Sequence, residues 1–139
     1  EEIEHVAEIL MLSNQNFSLP PNELTTVERT YSFNQIRNAH DVPNNIEEIK
    51  VFQLFTHAHE HMTRFDIHVN NSNGVEDLVY TALDWEHPPI LQLNEPIILT
   101  SGMGLKLTCT YDNWTDDYLQ FGLLSTDEMM ILFGYFYTD

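Results

Sequence analysis

The chain has 139 residues, of which 42% are hydrophobic, and it carries 22 acidic against 5 basic side chains for a formal net charge of −17. That length suits one domain over 1–139, large enough to bury a core without disulfide or metal staples. The basic residues Arg29, Arg37, Lys50, Arg64 and Lys106 stand singly, so no phosphate-binding patch can be built, which excludes nucleic acid and anionic membrane surfaces as partners. No apolar run approaches the roughly 18 residues of a membrane span, and a soluble protein is expected. The start at Glu1-Glu2-Ile3 shows no basic-then-apolar leader, so a signal peptide is expected to be absent or already removed. The acidic field favours cations, although a solvated acidic surface that keeps the protein soluble is the simpler cause.

Ile3 to Leu12 suits a helix by Ile3, Val6, Ala7 and Leu10 but a strand by Ile9-Leu10-Met11-Leu12, and strand is preferred because everything after it reads β. Phe17 to Asn22, with Pro20 and Pro21, must be extended or turning. Thr25 to Phe33 is a second strand, and Asn34 to Asn45, with Asn, Asp and a proline, is expected to be a loop containing His40. Ile46 to His61 is the longest strand signal. Arg64 to Val69 alternates, with Phe65, Ile67 and Val69 on one face and His68 on the polar other. Asn70 to Gly74 is a turn, and Val75 to Leu83 returns as its hairpin partner.

Asp84 to Pro89 breaks the pairing. A short strand follows Pro96, and Gly102 and Gly104 flank a turn into Leu105 to Tyr111. There Cys109, the sole cysteine, sits on the apolar side of an alternating strand and reads as an inert buried thiol. Asp112 to Asp117 is an acidic turn that fits no EF-hand spacing. Met129 to Tyr137 is apolar on both faces, as in a central strand. Eight or nine short strands separated by turns predict an antiparallel jelly-roll β-sandwich.

The chemistry-bearing stretches are Phe55 to Met62, with His57, His59 and His61, and Ser125 to Met130. In a continuous strand the three imidazoles would share one face, about 7 Å from one to the next. Imidazole binds copper, zinc, iron and nickel, whereas a thioether such as that of Met129 selects copper, above all Cu(I). A mononuclear copper site is therefore expected. His5, His40 and His87 each stand alone and read as ordinary surface residues, with His87 a candidate to support the site from the Asp84-Trp85 motif.

The ordered set His57-Ala58-His59, Asp84-Trp85, Leu93-Asn94-Glu95-Pro96, Cys109-Thr110-Tyr111-Asp112-Asn113 and Ser125-Thr126-Asp127-Glu128-Met129 resembles the C-terminal domain of the copper type II, ascorbate-dependent monooxygenases. That family includes peptidylglycine α-hydroxylating monooxygenase and dopamine β-monooxygenase, and the pattern is nearest that of bacterial relatives. The resemblance runs from Phe17 to the C-terminus. It implies a jelly roll in which His57, His59 and Met129 bind one copper, the ion at which oxygen is activated, with an open fourth position. Glu128 and Asp127 would support the ligating imidazoles by hydrogen bonds.

Three features depart from the family pattern. The second copper of the two-copper enzymes belongs to a separate N-terminal domain for which 139 residues leave no room, so turnover would need that missing domain or an external electron donor. The cysteine that the family pairs with the Cys109 position is replaced by Met130. The glycine after the His-x-His region is replaced around Met62, and His61 adds an imidazole, so a His57, His59, His61 set with Met129 weak or absent is the alternative coordination. Copper redox work and the family's habits imply a periplasmic or extracellular location. Three functions follow: a copper-binding module without turnover; a monooxygenase-like oxidoreductase, which alone would consume reductant and oxygen; and a β-sandwich recognition module that has lost the metal chemistry, in which His57→Ala or Met129→Ala would change nothing.

Overall fold

A computed structural model describes residues 5–139. Ten strands and one helix follow in order: β1 (Glu8–Ser13), β2 (Ser18–Leu19), β3 (Glu23–Ser32), α1 (Phe33–Ala39), β4 (Ile49–His57), β5 (Met62–Asn70), β6 (Glu76–Ala82), β7 (Leu91–Leu99), β8 (Gly104–Asn113), β9 (Leu119–Gln120) and β10 (Ile131–Tyr137). All strand pairings are antiparallel, in two four-stranded sheets of order β1-β10-β4-β7 and β3-β8-β5-β6, with β2 and β9 paired separately. Counting the eight long strands in chain order, these sheets read 1-8-3-6 and 2-7-4-5, the strand order of a jelly roll. The expected fold class is therefore the observed one.

Alternation builds the core between the sheets. Leu10, Leu12, Ile49, Val51, Leu54, Leu132 and Phe136 face inward from one sheet. Phe65, Ile67, Val69, Leu105, Leu107, Cys109 and Tyr111 meet them from the other. The Asn70–Gly74 turn closes as expected, with the Asn71 N–H donating to the Val75 carbonyl at 2.8 Å and Gly74 at φ 86°. Of the ambiguous N-terminal segment, Glu8–Ser13 is strand; residues 1–4 lie outside the described part.

Three expectations need correction. The segment Asn34 to Asn45 does not stay a loop throughout: Phe33–Ala39 is helical, started by a capping box in which the Ser32 hydroxyl accepts from the Gln35 N–H and the Gln35 side chain accepts from the Ser32 N–H. Its Phe33 and Ile36 are buried against the sandwich, so packing fixes a helix too short to show periodicity. The strand expected over Ile46 to His61 ends at His57; His59 and His61 lie in the connection to β5, where the Met62 N–H closes a turn onto the His59 carbonyl at 3.1 Å. The C-terminal strand likewise starts at Ile131 rather than Met129.

Candidate metal centre

β4 is a central strand, flanked by β10 and β7, and its pairing with β10 ends at the Ile131–His57 partnership. Beyond it Ala58 turns inward and is buried, so His57 and His59 emerge on the same side. Their ring centroids are 5.2 Å apart, with planes at 83°. His59 Nδ1 lies 2.8 Å from the Asp127 carbonyl oxygen, to which it donates. A donated Nδ1 proton fixes the tautomer that leaves Nε2 with a free lone pair. Burial holds the His57 pKa below the ordinary imidazole value, and the neighbouring His59 pushes it further down. His57 is thus a neutral imidazole at physiological pH, as a metal ligand must be.

The two rings open into a cavity of about 400 Å³ lined also by Glu60, Trp85, Ser125 and Thr126. Trp85 comes from the connection between β6 and β7, and Ser125 and Thr126 from that between β9 and β10. These wall residues lie inside motifs already visible in the sequence, but their convergence required the fold.

Glu128 does most to order this end of the molecule. Its side chain has no exposed surface. One carboxylate oxygen accepts the His59 N–H at 2.8 Å and the Met129 N–H at 3.1 Å, and the other accepts the His61 N–H at 2.9 Å. A single carboxylate therefore bolts the histidine turn to the Met129 segment. It does so through backbone amides rather than through an imidazole, which is where sequence reasoning had placed its role. Asp127 acts through its carbonyl, not its carboxylate. Burial raises the Glu128 pKa, and the three amides oppose that rise.

Met129 is half-buried, and its carbonyl accepts the Tyr111 hydroxyl at 2.6 Å. Met130, at the position where the family has its second cysteine, is fully buried, with its sulfur 3.5 Å from the Asn14 amide. The Asn14 N–H also donates to the Met130 carbonyl at 2.9 Å. Tyr111, Glu128 and Asn14 thus anchor this segment without a disulfide. Cys109 is buried and free.

The structure brings His57 and His59 together and takes His61 elsewhere. The Glu60–His61 turn folds His61 inward, where it is 3% exposed, with Nδ1 3.1 Å from the Asp112 carbonyl and its ring 4.0 Å from that of Trp114. The three-imidazole face expected of a continuous strand does not form. His87 stands in the loop before β7, exposed and 3.4 Å from Asp84, and does not line the cavity. Met129 is also not among the lining residues.

Among the described residues no three His, Cys, Asp or Glu side chains are grouped to hold a metal. Two imidazoles, one oriented by a carbonyl, form a donor set that fits copper. No helix among the described residues is long and apolar enough to cross a membrane.

Fold and site together define an antiparallel jelly-roll domain with an imidazole-lined cavity at the end of one sheet. Residues 5–139 match the family model for the copper type II ascorbate-dependent monooxygenase, C-terminal domain, and the chain belongs to that family. A search of curated proteins gave no match.

Proposed function

We propose that this protein is a mononuclear copper-binding domain whose ion is held by His57, His59 and Met129, a site of the oxygen-activating kind. The observation that carries the reading is the imidazole pair, 5.2 Å between centroids, with His59 locked by Asp127 and His57 held neutral. Family membership supports copper as the metal. Bound copper would supply one-electron redox chemistry toward dioxygen.

The chain's own residues do the rest. His57 and His59 line the cavity with their rings, His59 with Nε2 left free by its bond to Asp127; Glu128 holds the His59 and Met129 backbones at fixed separation; Trp85 forms part of the cavity wall. Turnover would draw electrons from a partner domain or an external donor. The same reading puts the protein in the periplasm or outside the cell.

Copper titration with X-ray absorption in both oxidation states tests the site. One ion per chain with two nitrogens and, in the reduced state, one sulfur is expected. His57→Ala and His59→Ala should each weaken binding at least about tenfold, and Met129→Leu should remove the sulfur signal. A third nitrogen in place of sulfur would replace Met129 as ligand. Oxygen uptake with ascorbate separates an enzyme from a binding module.

A further inference from the structure

The two loops that wall the His57–His59 cavity are held very differently. Ser125 and Thr126 belong to a segment fastened at many points. There the Asp127 N–H donates to the Leu124 carbonyl at 3.0 Å, the Leu124 N–H to the Asp127 carboxylate at 3.1 Å, and the Glu128 N–H to the Gln120 carbonyl at 3.0 Å. Trp85 belongs to the loop from Asp84 to Pro89, which is braced internally by the Glu86 N–H donating to the Asp84 carboxylate at 3.0 Å. Among the described residues a single hydrogen bond joins this loop to the body of the sandwich: the Tyr80 hydroxyl donates to the Pro89 carbonyl at 2.7 Å.

Tyr80 lies on β6 and is 5% exposed. Its oxygen is also 3.2 Å from the hydroxyl of Thr56, the buried β4 residue before His57. A phenol has one proton and a carbonyl can only accept, so Tyr80 gives its proton to Pro89 and Thr56 donates to Tyr80. Burial raises the Tyr80 pKa, so the phenol keeps that proton. The relay from Thr56 through Tyr80 to Pro89 therefore runs from one sheet, by way of the other, to the loop. Val and Phe would fill the same space with no polar atoms to satisfy; what the hydroxyls add is a fixed point for the loop.

The loop passes that hold along. Pro88 and Pro89 have fixed φ and no N–H, and each restricts the residue before it, so His87 to Pro89 is a stiff arm. The Asp84–Glu86 turn stands at its end with Trp85 inside it. Fixing the Pro89 carbonyl thus limits where the indole can go.

We propose that Tyr80 is the positioning residue of this cavity: its hydroxyl, through Pro89, holds Trp85 in the wall beside the imidazole pair and sets how readily an ion or small molecule reaches it. The inference rests on that cavity being the functional site, but not on which metal it takes. One net hydrogen bond shifts an open–closed equilibrium by about two- to tenfold, enough to tune entry without sealing the site.

The test uses the full chain carrying Trp114→Phe, which leaves Trp85 as its single indole. In the metal-free protein, acrylamide quenching of Trp85, now 39% exposed, should rise about twofold in Tyr80→Phe as the loop is released. Thr56→Val, which spares the Pro89 bond, should quench like the parent. The double variant Thr56→Val with Tyr80→Phe removes both buried hydroxyls; it should melt within about 3 °C of the parent yet quench like Tyr80→Phe. In stopped-flow mixing, copper entry and chelator-driven copper loss should both quicken about two- to tenfold in Tyr80→Phe, with the ligand set by X-ray absorption unchanged. Equal quenching in the parent, Tyr80→Phe and the double variant overturns the proposal. So do unchanged copper rates in a variant whose Trp85 is freed, or an altered ligand set in Tyr80→Phe, which would place the action of the tyrosine on His57. A parent that binds no copper overturns the metal reading instead, and the quenching comparison still decides the role of Tyr80.

Discussion

Replacing Glu128 by Gln swaps one carboxylate oxygen for an amide NH₂ at a position with no access to water. The remaining oxygen retains the His59 and Met129 amides if it takes the place of the oxygen that already accepts both. The NH₂ then faces the His61 N–H, donor against donor. Leaving that buried amide without an acceptor costs about 1–3 kcal/mol. The two surviving bonds fall from charge-assisted to neutral strength, about 1 kcal/mol each. Relief from burying a charge returns about 1–2 kcal/mol. The net loss is about 2–3 kcal/mol, and a domain of this size loses about 3 °C of Tm per kcal/mol. Thermal unfolding of the metal-free variant at neutral pH should therefore fall by about 6–9 °C. Copper affinity should fall as well, since the same bonds hold His59 and Met129 in register. A variant melting within about 2 °C of the parent would refute the clamp.

The same carboxyl predicts a pH dependence. Its folded pKa is raised by burial, so the native state keeps the proton to higher pH than the unfolded chain does. The proton-linked part of its stability is full below the ordinary glutamate pKa and is lost as pH rises through the raised value, while the three amide bonds remain at neutral pH; denaturant titrations across mildly acidic pH should show that decline in the parent and not in Glu128→Gln. Gly134→Ala should cost about 3 kcal/mol or more, measured by urea unfolding, because the added Cβ would run into the Gln53 carbonyl of the neighbouring strand. Burial pushes the Cys109 thiol far above its ordinary pKa, so iodoacetamide at mildly alkaline pH should leave the native protein unlabelled and label it promptly in urea. Asn113→Ala should cost about 2–4 kcal/mol in the same assay, since its buried amide donates to the Leu19, Pro20 and Asp117 carbonyls and its oxygen accepts from Thr115.

Period-two alternation made most of the sandwich legible, and it did so best where one face is buried, as in Phe65, Ile67 and Val69. It failed where no period can be read. The seven residues of α1 are too few, and only the Ser32–Gln35 spacing announced it. Nothing between Ile46 and His61 is glycine or proline, so the end of β4 at His57 left no mark, and with it went the expectation that His61 shares a face with His57 and His59. The imidazole pair was visible because its members are two residues apart. The clamp was not, because Glu128 reaches amides 67 and 69 residues away and local spacing says nothing of such contacts.

Strand β10 is last in chain order yet lies between β1 and β4, in the middle of its sheet. The imidazoles borne by β4 and the turn after it therefore acquire their Asp127 and Glu128 supports only when the segment leading into that strand has slotted home. Pairings between such remote parts of a polypeptide are slow to form. A nascent chain that has exposed its histidines but not yet β10 holds no finished pocket, so on the proposed reading ion capture would wait for that strand.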